Sequence, residues 1–282
     1  MKRNIILMLS ILIVLAGCSQ LNTIMDKMPW QKKDPKQTSV NDDDQNKKEH
    51  PSNGQANDQS AKDGQNNQLT LDSAFFNEIR MVDGKKVIQN PTNILALVNK
   101  QYALPNNYAP KDLVRPKVPF PFGDQKIEKS YMRKEAAEAL EKMINAAKKE
   151  NIIIYAVSGY RSYGRKQEVY SAEVNQVGKE QAEQAVAIPG FSEHQSGLAM
   201  DVSSPSNNFD LSENYGNTKE GKWLVANAHK FGFILRYPKG KEQITGYEYE
   251  PWHFRYVGIK AATDIYERDI TLEEYFKIVE KI

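Results

Sequence analysis

Apolar positions are distributed along the chain in three regimes. Ile5 to Ala16 is an apolar run broken only by Ser10, behind Lys2 and Arg3. From 31 to 68 only Val40, Ala56 and Ala61 are apolar, among Gln, Asn, Asp, Lys and Ser. From about Leu69 onward the apolar residues return at regular spacing. Ile94, Leu97, Val98 and Tyr102 fall at helical intervals and stop before Pro105. Ser130 is placed to cap a helix in which Met132, Ala136, Leu140, Met143, Ile144 and Ala147 form one stripe, closing at Asn151. The run Ile152 to Val157 has the composition of a buried strand. Helices are predicted over 163–174, 179–186 and 219–231, the second ended by Pro189-Gly190 and the third by Gly232. Strands are predicted over 198–203, 233–237 and 252–257, and two helices finish the chain. Short strands interleaved with helices give an α+β domain with a small antiparallel sheet.

The three regimes divide the chain. Residues 1–17 have a basic start and an apolar stretch too short for a membrane span, as in an export signal. The stretch ends in Leu15-Ala16-Gly17-Cys18, which resembles a bacterial lipoprotein lipobox and implies a lipid on Cys18; an ordinary cleaved signal or an uncleaved anchor is the alternative. Residues 18–68 then form a polar tether that buries too little apolar surface to offset its ordering entropy. Residues 69–282 suit one globular unit. Cys18 is the only cysteine, so the exported part has no disulfide, no thiol nucleophile and no Cys-ligated metal. A net charge of +2 is too small to indicate nucleic acid, and nothing implies a protein partner.

"SEHQSGLAMDV", residues 192–202, places His194 and Asp201 on either side of small residues. Asp201 is a charge inside an apolar strand, where a carboxylate is usually paired or metal-bound. His253 lies in "YEYEPWHFRYV", three residues after Glu250. A zinc hydrolase needs three N or O ligands and a nearby carboxylate to move protons. His194, Asp201 and His253 can supply the ligands and Glu250 the carboxylate. Gly197 would let the chain turn from His194 back towards Asp201. In a regular strand Glu250 and His253 would face opposite ways, so an irregular corner is expected at Pro251. For each motif alone, a structural aspartate or a packed histidine is the commoner explanation. His229, inside the 219–231 helix, reads as an ordinary helix residue.

Taken together, S-x-H-x-x-G-x-A-x-D at 192–201, E-x-W-H at 250–253 and Ser158-Gly159-Tyr160-Arg161-Ser162 resemble the VanY-type D-alanyl-D-alanine carboxypeptidases. These are zinc peptidases grouped with the D,D-dipeptidases and the hedgehog-like fold. "LVNKQYALPNNYAPKDL", residues 97–113, also resembles the segment ahead of their catalytic core, so the resemblance runs from about residue 93 to the end. It implies Zn²⁺ held by His194, Asp201 and His253, with Glu250 as general base and acid. It implies that Arg161 stabilises the developing oxyanion, and that Ser192, Gln167 and Arg161 line the substrate cleft. The implied substrate is a peptidoglycan stem peptide losing its terminal D-alanine, at the outer face of a membrane that the Cys18 lipid would hold. Two other readings remain: a wall-binding lipoprotein without hydrolysis, and an L,D-carboxypeptidase or D,D-dipeptidase specificity.

Overall fold

The computed structural model describes residues 68–282; the expected signal, Cys18 and nearly all of the expected tether lie outside them. At the centre is a four-stranded antiparallel sheet: β1 (Tyr155–Ser158), β2 (Ala199–Ser203), β3 (Phe233–Leu235) and β4 (His253–Tyr256), in the order β1-β2-β4-β3. Every residue of β2 and β4 is buried, so the polar Asp201, His253 and Arg255 that they carry lie inside the protein. The helices are α1 (Lys134–Lys149), α2 (Tyr163–Val177), α3 (Lys179–Ala185), α4 (Lys219–Asn227), α5 (Glu242–Thr245), α6 (Ile259–Glu267) and α7 (Leu272–Ile278). The architecture is the expected α+β class. Ala136, Leu140, Met143, Ile144 and Ala147 of α1 pack against Met200, Val202 and Phe254 of the sheet. A second apolar cluster joins α6 and α7 to Ile234 and Val257.

Several boundaries depart from the sequence expectation for physical reasons. No helix forms over 93–102. The carbonyls of Ile94 and Ala96 instead accept from the Arg255 guanidinium at 3.0 and 2.8 Å, and Asn77 holds both the N–H and the carbonyl of Leu97. With these backbone groups satisfied from elsewhere, helical bonds are not required. Ser130 does not cap α1: its hydroxyl donates to the Ile127 carbonyl, and Met132–Arg133 pairs as a short strand with Leu113–Val114 before the helix starts. Ile152–Ile154 precedes the strand, because Asn151 turns left-handed (φ 61°) and the Ile152 N–H bonds back to Ala147. The 219–231 helix tightens into a 3₁₀ turn over Ala228–Phe231 before Gly232.

Candidate metal centre and active site

Three elements deliver the candidate ligands. His194 sits on a buried 3₁₀ turn, Glu193–Ser196, that ends at Gly197 in the left-handed region (φ 69°). A Cβ there would also press on Leu113 and Arg133, at 3.0 and 3.1 Å. The chain then enters β2, where Asp201 stands directly opposite His253 of β4. Residues so paired share a face of the sheet.

The donor atoms of His194, Asp201 and His253 all lie within 4.8 Å of one another, and all three residues are buried. His194 Nδ1 lies 2.7 Å from the Gly159 carbonyl, which can only accept. Nδ1 therefore carries the hydrogen, and Nε2 turns its lone pair towards Asp201 Oδ2, 3.3 Å away. His253 Nε2 faces the Glu193 carboxylate at 3.3 Å, so Nδ1 is the atom presented to Asp201 Oδ1 at 3.1 Å. That oxygen is buried without a directed hydrogen bond. Two nitrogens and an unsatisfied carboxylate oxygen converging in this way fit a tetrahedral zinc, with each imidazole fixed from behind.

The electrostatics agree with the geometry. Burial alone would raise the Asp201 carboxyl, but the facing imidazoles outweigh it and hold the group well below the usual carboxylate range. Burial would lower His253, yet the facing Asp201 and Glu193 carboxylates raise it to about 9 in the metal-free protein. His194 is lowered, chiefly by burial.

Glu250 reaches the same face because the chain turns before β4. Its carbonyl accepts from the His253 N–H at 3.2 Å, closing a turn around Pro251. This is the expected irregular corner, and it brings Glu250 Oε2 to 3.7 Å from His253 Nδ1. Burial pushes the Glu250 carboxyl up to about 7, against the pull of His253. Such a group can both take and give a proton near neutrality.

Arg161 follows β1. Its N–H donates to the His194 carbonyl, and its guanidinium donates to Ser158 Oγ at 3.1 Å. Arg161, Ser192 and Glu250 line one cavity of about 200 Å³ together with the three ligands. Tyr237, Tyr247 and Trp252 supply its aromatic walls, whereas Phe254 is fully buried in the core. Gln167 is not brought to this cavity. It is exposed on α2, and the preceding residue, Lys166, is the one turned inward. Adjacent helical residues diverge by about 100°, so only one of the two can face the site. His229 stacks on Tyr266 at 3.7 Å, apart from this cavity.

Glu193 is a site residue that the motif spacing does not single out. Its carboxylate is wholly buried and accepts from Arg236 Nε at 2.8 Å and Arg255 at 2.6 Å, besides facing His253. Arg236 in turn forks onto Glu273 at 2.9 and 2.7 Å. Burial would neutralise Glu193, but the two guanidinium groups and His253 keep it ionised. Glu193→Gln should therefore lower zinc affinity, by about 10–100-fold as for other supports behind metal ligands. Competition with a chelator measures this; unchanged affinity would mean that the carboxylate does not orient His253.

Comparison with known proteins agrees with this arrangement. The family model of the VanY D-alanyl-D-alanine carboxypeptidases matches residues 129–259. The putative carboxypeptidase YodJ of Bacillus subtilis (strain 168) is 54% identical over 96% of this chain and 93% of its own length. The solved structure of the LD-carboxypeptidase LdcB, described for its peptidoglycan recognition, shares 61% identity at a TM-score of 0.74, covering 76% of this chain and all of that one. A point mutant of the vancomycin resistance D,D-pentapeptidase VanY from a VanB-type cassette, in complex with Zn(II), shares 34% identity at a TM-score of 0.52, covering 64% of this chain and 98% of that one. With relatives of this extent, the chain belongs to the VanY family of D-alanyl-D-alanine carboxypeptidases and is a peptidase.

Proposed function

We propose that the protein is a zinc-dependent carboxypeptidase that releases the C-terminal D-alanine of peptidoglycan stem peptides. The observation that carries this reading is the convergence of His194, Asp201 and His253 with Glu250 in one cavity that also holds Arg161. The metal, when bound, supplies a Lewis acid that polarises the scissile carbonyl and makes water easier to deprotonate. Glu250 takes the proton from the attacking water and passes it to the departing amine. Arg161, held by Ser158, offers a fixed positive charge where the carbonyl oxygen becomes negative. Ser192 supplies a hydroxyl to the cavity wall.

The similarity to LdcB favours an L,D bond, that is, a tetrapeptide stem, over the D,D bond of a pentapeptide. Digestion of defined muropeptides, with products identified by mass, tests both levels. Loss of one alanine from tetrapeptide stems is expected. Preference for pentapeptides would reverse the bond assignment, and release of no amino acid from either would leave the wall-binding reading.

We also propose that Cys18 carries a lipid that holds the domain at the outer face of the cell membrane. The Leu-Ala-Gly-Cys sequence supports this. Cys18→Ser protein should lose the lipid mass and leave the membrane fraction. A mature N-terminus other than Cys18 would overturn the anchor and leave the catalytic reading untouched.

A further inference from the structure

Lys166 is a charged side chain of the cavity with no role in the chemistry above. It is 4% exposed, although its α2 neighbours Arg165 and Gln167 face solvent. None of the ion pairs among the described residues includes it. The carboxylates that share the cavity have other duties: Asp201 and Glu193 are taken up by the imidazole and guanidinium groups, and Glu250 handles protons. The other cation of the cavity, Arg161, is directed at Ser158 and works against Lys166. Burial and that repulsion hold the ammonium down at about 7 in the free protein, against the pull of Glu250 and Asp201, neither of which forms an ion pair with it. A buried cation without a counter-ion costs stability, and the cost is relieved when an anion enters.

The proposed substrate brings such an anion. A peptide cut at its last bond has a free carboxylate one residue beyond the scissile carbonyl. A cation is needed to read it, and Arg161 is already placed for the oxyanion. We propose that Lys166 is a specificity-determining residue that pairs with the C-terminal carboxylate of the substrate and so confines cleavage to the last peptide bond. The inference rests on the carboxypeptidase reading above. It explains why a lysine is turned into the cavity while Gln167 is not. In a merely structural role, Lys166 would be expected to have a partner in the free protein.

The test compares wild type, Lys166→Met and Lys166→Arg on an N-acylated stem tetrapeptide ending in D-alanine and on the same peptide ending in D-alaninamide. Binding is measured by calorimetry as well as turnover. Loss of a charge-assisted pair should raise KM for the free acid about 10–100-fold in Lys166→Met, with a smaller change in kcat. The amide should be handled alike by wild type and variant, so the preference for acid over amide collapses, and Lys166→Arg should restore much of it. Metal-free Lys166→Met should unfold at the same temperature or higher, because an uncompensated buried charge is removed. An undiminished acid preference in Lys166→Met, an equal loss on both peptides, or a lowered unfolding temperature would overturn the proposal. If wild type binds the free acid through Lys166 but releases no alanine, the carboxypeptidase reading fails and the carboxylate subsite stands.

Discussion

Glu250→Gln protein is expected to fold, hold one zinc and bind stem peptide, while releasing D-alanine about 10²–10⁴-fold more slowly than wild type. The amide preserves the shape of the side chain but cannot accept a proton from water. Glu250 Oε2 stands 3.7 Å from His253 Nδ1 and lines the cavity, so the substitution alters proton transfer without removing a ligand. Two controls separate this from damage to the fold. The acidic limb of the wild-type rate profile, which reports loss of the Glu250 proton, should vanish in the variant. Stability follows from the sign of the shift: a carboxyl raised from 4.5 to about 7 by burial costs the metal-free fold stability that grows as pH rises between those values and is fully present above about 7. Metal-free Glu250→Gln should therefore be at least as stable as wild type at pH 8. Near-normal turnover at full zinc occupancy would show that another group moves the proton.

Asp201→Asn should abolish stoichiometric zinc binding, and activity with it. The loss of affinity should exceed the about 10–100-fold typical of changes behind the ligands, because an anionic donor is removed from the centre itself. Asparagine keeps the strand position filled, so the loss should occur without unfolding. Zinc uptake by wild type should also release a proton. His253 stays protonated below about 9 in the metal-free protein, held by Asp201 and Glu193 against burial. A cation reaching Nδ1 must displace that proton, so affinity should fall about tenfold per unit as pH drops from 9 to 7. His194, lowered by burial, adds no proton of its own in that range. Calorimetry in buffers of different ionisation enthalpy counts the protons. Uptake with none released at pH 8 would contradict the assigned role of His253.

The parts of the site legible in the sequence were those with a local anomaly. Asp201 is a charge within Leu-Ala-Met-Asp-Val, and Pro251 forces a corner between Glu250 and His253; both signals survive without knowledge of the fold. The α1 stripe was legible because one face packs on the sheet. Residues 93–102 do not form the helix that their spacing predicts because Arg255, more than 150 positions away, takes the Ile94 and Ala96 carbonyls, and periodicity carries no trace of such a partner. Arg236 and Arg255 carry a signal: each is a charge inside a predicted strand, the same anomaly that marks Asp201. Glu193, their shared partner, could have been sought on that ground. The choice of Lys166 over Gln167 depends on the rotation of α2, which a helix of weak amphipathic pattern does not fix in advance.

The most direct test is to strip the protein of metal, add zinc in substoichiometric steps and follow D-alanine release from a defined stem tetrapeptide. The site built from His194, Asp201 and His253 predicts no release by the stripped protein, then a rise in proportion to occupancy that levels off at one zinc per chain. Full release by metal-free protein, or none at one zinc per chain, would contradict it.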